Sequence, residues 1–106
     1  MKKGIELIVE ERQRQIDVEG YNEQHDSLHQ VSELISASIA YIESAKISIV
    51  CMENGNTNEP EIMRMKKEMG RYYPLGWIFK PSTDVRDLVK AGALIAAAID
   101  RLESSK

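Results

Sequence analysis

The chain has 106 residues, of which 42% are hydrophobic, 29% charged and 6% aromatic. This length fits one domain with a hydrophobic core, and no uninterrupted stretch reaches the roughly 18 apolar residues of a membrane span. The net charge of −3 disfavours direct binding to a nucleic-acid backbone. The single cysteine, Cys51, excludes an intrachain disulfide, and we expect a cytoplasmic protein that does not interact with membranes.

The first predicted element is a helix from Lys3 to about Asp17. Its interior holds neither Gly nor Pro, and its apolar residues recur at helical spacing. These residues are Ile5, Ile8, Val9 and Ile16. Gly20 and Asn22, shortly after it, are typical of a turn.

The second predicted element is a long helix from Leu28 to about Glu53. Asp26 or Ser27 is suited to cap its N-terminus, and the turn-forming residues 54–58 end it. Steps of three and four residues place its apolar side chains on one face. They are Leu28, Val31, Leu34, Ile35, Tyr41, Ile42, Ala45 and Ile49.

A long connection, residues 54–81, separates this helix from the last one. Glu59–Met69 is predicted to form a short helix with Pro60 in its first turn. Residues 70–81 contain too much Gly and Pro for a helix and hold four of the six aromatic residues. Such a connection is typical of either a functional lid or a packed loop.

The last predicted element is a helix that starts near Pro81, with Ser82 or Thr83 at its N-terminus. One set of its residues follows the steps 3, 4, 3, 4, 3 of a heptad, and we name this set the heptad seam. It consists of Val85, Leu88, Gly92, Ile95, Ile99 and Leu102. Small residues at 91–93 and 96–98 allow a neighbouring helix to approach closely.

These elements predict a single all-α domain over residues 1–106, a helical bundle of two long helices plus an N-terminal helix. One chain supplies only a thin core, and the last helix is apolar on nearly every side. We therefore expect the bundle to be completed by homo-oligomerisation, as a homodimer or homotetramer.

Acidic residues recur on one edge of each long helix. Asp26, His29 and Glu33 share an edge of the second helix, and Asp84 and Asp87 share an edge of the third. Carboxylates that meet across neighbouring helices repel one another unless a cation lies between them, and Mg²⁺ prefers such oxygen ligands. The pattern predicts a metal site of Asp26, Glu33, Asp84 and Asp87, with His29 and Glu33 as catalytic candidates.

Each of these residues also has an ordinary structural explanation. Acids such as Asp84 and Asp87 are favoured in the first turn of any helix, and Asp26 is a plausible N-cap. His29 fits an ordinary surface histidine, and Glu33 fits a solvated edge residue.

Cations and aromatic residues surround the second acidic pair. Lys80, Arg86 and Lys90 are suited to hold phosphate groups, and Trp77 is suited to stack on a base, as is Phe79. The competing interpretations are a surface ion network for the cations and packing against the bundle for the aromatic rings.

A set of short motifs covers nearly the whole chain except about residues 52–72. They are Glu11-Arg12-Gln13-Arg14-Gln15, Glu19-Gly20-Tyr21, His25-Asp26, His29, Glu33-Leu34, Trp77, Lys80-Pro81, the run from Asp84 to Leu94, and Ile99-Asp100-Arg101-Leu102. In these motifs the chain resembles a group of small phage and prophage proteins. That group in turn is similar to the all-α nucleoside triphosphate pyrophosphohydrolases of the MazG-like superfamily.

The resemblance implies a dimer or tetramer of helical bundles that binds Mg²⁺, or Mn²⁺, through an E-E-x-x-E and an E-x-x-D motif. Residues 84–87 match E-x-x-D with one conservative change. With Glu33 as the last acid of E-E-x-x-E, His29 and Gln30 replace two glutamates; with Glu33 as the first, Ala37 replaces the last. Asp26, His29 or Glu11 are possible substitutes.

Two functions follow from residues and resemblance together. The first is a Mg²⁺-dependent enzyme that cleaves a nucleoside or deoxynucleoside triphosphate to the monophosphate and pyrophosphate. The alternative is a non-catalytic helical phage accessory protein with the same bundle, which binds a partner through its aromatic loop.

Overall fold

The computed structural model describes residues 1–18 and 30–104. These residues form four α-helices and one 3₁₀ turn, and no strand occurs among them, so the all-α prediction is confirmed. The helices are α1 (Gly4–Asp17), α2 (Val31–Glu53), α3 (Glu59–Glu68) and α4 (Asp84–Ser104), with the 3₁₀ turn at Met69–Tyr72.

The N-terminus of α2 is built from a capping box. The backbone N–H of Gln30 donates to Glu33 Oε1 at 3.0 Å, and the Gln30 side chain accepts from the backbone N–H of Glu33. The prediction that this helix begins at Leu28 is therefore wrong, because the capping box starts it at Val31. The proposed caps Asp26 and Ser27 lie outside the described residues.

The turn predicted after α2 is confirmed. Asn54 Nδ2 donates to the carbonyl of Val50 at 2.8 Å, which satisfies one of the last free carbonyls of the helix. Gly55 follows with a φ of 74°, a conformation that costs glycine little because it has no Cβ. The chain then enters α3, where Asn58 Oδ1 accepts from the backbone N–H of Glu61.

The aromatic part of the connection is a packed loop. Tyr73, Trp77 and Phe79 pack against the core, and the Tyr41 ring of α2 lies 5.6 Å from Tyr73 and 4.9 Å from Phe79. Edge-on and tilted rings at such distances attract one another beyond their burial of area. The loop thereby extends the thin core at one side of α2.

The centre of the fold is the contact between α2 and α4, with α1 packed on α4 and α3 packed on α2. Small side chains dominate this contact, so the two long helices approach closely. The core cluster contains Leu34, Ala37, Tyr41, Ala91, Leu94, Ala97 and Ala98.

The heptad seam of α4 is not the face that forms this core. Its Val85, Leu88 and Ile99 are 54%, 45% and 54% exposed, and Ile95 and Leu102 are exposed as well. Gly92 is the exception, since Ile8 of α1 lies directly against it. The alanine-rich face is buried instead, because small residues permit the close approach to α2.

One helix, α2, is long and apolar enough to span a membrane when judged by length and composition. Core helices of globular proteins meet the same criterion. In this protein, α2 buries Leu34, Ala37 and Tyr41 against α4, as a core helix does.

Candidate functional site

Asp87 is the most deeply buried carboxylate among the described residues, with 0% exposure. Its Oδ2 lies 3.0 Å from Lys66 Nζ and accepts from Ser44 Oγ at 2.7 Å. Its Oδ1 accepts from the backbone N–H of Ser82 at 2.7 Å. Lys66, only 2% exposed, also donates to the Ser82 carbonyl. Asp87 thus joins α2, α3 and the start of α4 in one buried polar cluster.

The other described acids of the predicted metal site are also engaged within their own helices. Glu33 belongs to the capping box of α2, and Asp84 Oδ1 accepts from the backbone N–H of Val85 at 2.6 Å. In the described part of the chain, no three acids, histidines or cysteines are close enough to hold a metal ion.

The described acids therefore do not fit the Mg²⁺ site that the resemblance implies. A cation at Asp87 would have to displace the Lys66 ammonium from a fully buried site. The remaining predicted residues, Asp26 and His29, lie outside the described residues, so the structure does not bear on them.

A second cluster forms around Glu11 of α1, which is only 2% exposed. Arg14 donates to both Glu11 oxygens at 2.9 Å, and Arg86 of α4 donates to Oε1 at 2.6 Å. Gln15 Nε2 adds a weaker contact at 3.3 Å. Charge-assisted bonds of this kind are strong. The bidentate Arg14 bond lies within α1, and the Arg86 bond holds α1 on α4.

Two further cations lie beside this cluster. Lys90 Nζ donates to the Lys80 carbonyl at 2.8 Å and lies 5.3 Å from the centre of the Tyr41 ring. Tyr41 Oη in turn accepts from the backbone N–H of Lys80 at 3.1 Å. Glu11, Arg14, Lys80 and Lys90 line a recess of about 30 Å³, which we name the cationic recess.

The pKa values of two groups reflect this environment. Burial raises the pKa of Glu11, but hydrogen bonds and charge from Arg14 and Arg86 outweigh it and hold the pKa below its usual range. Burial lowers the pKa of Lys90, and the neighbouring Arg86 and Arg14 act in the same direction, against the opposing charges of Asp87 and Glu11. The positive charge of Lys90 is thus partly removed from water, which makes its protonated form less favourable than that of an exposed lysine.

The charge balance of the cationic recess favours anions. Glu11 pairs with Arg14 and Arg86, and Lys80 and Lys90 line the recess beside this cluster, although the chain as a whole has a net charge of −3. The recess has about the volume of one water molecule, so it has room for a single oxygen atom of an anion. Phosphate oxygens match guanidinium and ammonium donors well.

The structure thus brings together three of the predicted substrate-binding residues, Lys80, Arg86 and Lys90. The fourth, Trp77, lies against the core, with its ring 5.8 Å from that of Tyr73. The position of Trp77 agrees with the interpretation that the aromatic rings pack against the bundle.

Sequence reasoning did not identify the partners that organise the two clusters. Lys66 is one of two consecutive lysines in a short helix, and Ser44 is one of many serines on α2, so nothing in the pattern distinguishes them. Arg14 and Gln15 stand in the Glu11–Gln15 motif, which gave no indication that Glu11 would pair with Arg86 of α4.

The chain matches no protein-family model, no curated protein and no solved structure.

Proposed function

We propose that this protein binds a nucleoside triphosphate through the cationic recess, with the phosphate groups contacting Lys80, Arg86 and Lys90. The observation that carries the proposal is that Lys80 and Lys90 line one recess with Arg14 of α1, beside the buried Glu11 with which Arg86 of α4 pairs. Such a local excess of cations in an acidic protein attracts polyphosphate and orients it.

Hydrolysis to the monophosphate and pyrophosphate, with Mg²⁺ or Mn²⁺, is the activity that the resemblance to the MazG-like superfamily adds to this proposal. The cationic residues would hold the triphosphate and stabilise charge that develops on the leaving pyrophosphate. Because the described acids do not fit a metal site, we place hydrolysis second to binding.

Calorimetric titration with a panel of nucleoside and deoxynucleoside triphosphates tests the binding. A Lys80→Met/Lys90→Met variant is expected to weaken affinity about tenfold, since two phosphate contacts are lost. Lys67→Met, which removes an exposed lysine of α3, is the matched control and should bind as the wild type does. Absence of binding by the wild type, or equal loss in the control, refutes the proposal.

Pyrophosphate release in the presence of Mg²⁺ or Mn²⁺ separates the enzyme from a binding protein. Turnover that depends on the metal supports the hydrolase. Binding without turnover and without a metal-dependent thermal shift supports the non-catalytic alternative, which one observation favours: Asp87 and Glu11 are neutralised by Lys66, Arg14 and Arg86.

We also propose a homodimer or homotetramer. The support is the exposed apolar surface on the long helices: the heptad seam on α4, and Ile35, Ile39 and Ile42 on α2, which are 45%, 42% and 38% exposed. Exposed apolar residues at helical spacing on a surface are typical of an interface between chains. A cytoplasmic location is part of the same proposal.

A further inference from the structure

A groove of about 550 Å³ lies between the second half of α2, α3 and the segment that leads into α4. Its volume is within the range of small-molecule sites, roughly 300–1,000 Å³. None of its lining residues belongs to the cationic recess. The proposed nucleotide site therefore leaves this groove without a role.

The walls of the groove are apolar and adaptable. Met52, Ile62, Met63 and Pro81 line it, and Met52 is 66% exposed. Unbranched thioether side chains adjust to ligands of different shape, and methionines are common on surfaces that accept several partners. These walls suit an aliphatic or aromatic group.

The charge of the groove is negative. Glu59 and Asp84 are its two acids, and Lys66 is the one cation among its lining residues. The Lys66 ammonium is 3.0 Å from the buried Asp87, so this pair adds no net charge. Glu59 and Asp84, which form no ion pair with a cation in the described part of the chain, therefore give the groove its negative charge.

The start of α4 also lines the groove, yet three backbone donors at this terminus are already engaged. The N–H of Ser82 donates to Asp87, that of Val85 to Asp84, and that of Arg86 to Thr83 Oγ1. An anion would consequently find repulsion from the acids and few free donors at this helix terminus.

We propose that the groove binds an organic cation with an apolar body, an ammonium or guanidinium on a hydrocarbon stem. The stem lies against Met52 and Met63, and the charge is balanced by Glu59 and Asp84. A free amine and a basic side chain of a partner peptide share this chemistry.

Methyl NMR of protein labelled at the methionine methyl groups tests the site, because the chain has only five methionines. Hexylamine is the probe, and hexanol and hexanoate are controls with the same carbon chain. We expect hexylamine to shift Met52 and Met63 saturably while Met1, Met65 and Met69 stay unchanged. Equal shifts from hexanoate, or shifts spread over all five methyls, overturn the proposal.

A Glu59→Gln/Asp84→Asn variant removes both charges and keeps the side-chain oxygen that accepts from Val85. We expect it to weaken hexylamine binding about threefold to tenfold and to leave hexanol binding unchanged. An unchanged hexylamine affinity refutes the role of the acids.

A blocked Leu-Arg-Leu tripeptide distinguishes a free amine from the basic side chain of a partner peptide. Tighter binding of the tripeptide than of hexylamine indicates a peptide partner, and weaker binding indicates a free amine.

Discussion

Asp87 shows how one residue can fit two different structural roles until its neighbours are known. In sequence it is the second acid of an E-x-x-D-like motif at a helix start. In the structure it accepts from Ser44 and Ser82 and pairs with Lys66, all within the protein interior. Removal of one member of a buried pair leaves the other charge without compensation, which is far more costly than loss of a surface pair.

We expect Asp87→Ala to lower the free energy of unfolding by about 3–5 kcal/mol. Lys66→Met should be similarly costly, and the double variant should lose at least about 2 kcal/mol less than the sum of the single losses. Urea denaturation of the four proteins measures this coupling. The exposed Arg64–Glu68 pair is the control, with an expected coupling of about 0.5 kcal/mol or less.

Glu11 gives stability a specific pH dependence. Its pKa is held below the usual value of 4.5, so its contribution is complete above that value and is lost as the pH falls through the folded-state pKa. At pH 7, Glu11→Gln should lower the free energy of unfolding by about 2 kcal/mol, because Arg14 and Arg86 lose a charged acceptor.

The difference in unfolding free energy between wild type and Glu11→Gln should shrink as the pH is lowered below 4.5. Urea titrations at a series of pH values measure it. Glu10→Gln, which removes one partner of the exposed pair between Lys2 and Glu10, should show a small difference throughout. If the difference in unfolding free energy between wild type and Glu11→Gln stays constant with pH, the lowered pKa of Glu11 is contradicted.

At the scale of elements, the small residues of α4 determine how closely the other helices approach. On one side, Ala91, Ala97 and Ala98 face the core that α4 shares with α2. On another side, a Cβ built on Gly92 would lie 2.7 Å from Cδ1 of Ile8, so α1 packs directly over this glycine. The close contact with Ile8 therefore favours glycine at position 92, although glycine has a low helix propensity.

A double-mutant cycle tests this interpretation. In an Ile8→Ala background, Gly92→Ala should stabilise the protein by about 1 kcal/mol, the helix propensity gained. In the wild-type background the gain should be absent or reversed, because Ile8 must move. Thermal or urea unfolding of the four proteins gives the result, and equal effects in both backgrounds would refute the packing argument.

At the scale of the whole molecule, the oligomer that we propose is supported by the exposed apolar surface. Light scattering should give a mass well above the 12.0 kDa of one chain at micromolar concentration. Ile95→Glu/Ile99→Glu should reduce the mass to that of a monomer, since charges would be buried in the interface. Asp100→Gln on the same helix is the control and should not change it. A monomeric wild type would contradict the oligomer.

The sequence by itself determined the all-α class, the α1 and α3 helices, and the turn after α2, because helical spacing, Pro60 and the Asn-Gly cluster act locally. It also grouped Lys80, Arg86 and Lys90, which are close along the chain. The start of α2 was misplaced, since Asp26 and Ser27 are suited to cap a helix in sequence, whereas the structure caps α2 with Gln30.

Only the tertiary structure decided which face of α4 is buried and which cation neutralises which acid. The heptad seam has the stronger apolar pattern, but the alanine face permits closer contact with α2, so it forms the core. The pairs of Asp87 with Lys66 and of Glu11 with Arg86 join different helices. Periodicity describes one helix at a time, whereas these pairs depend on how helices distant in sequence are placed against one another.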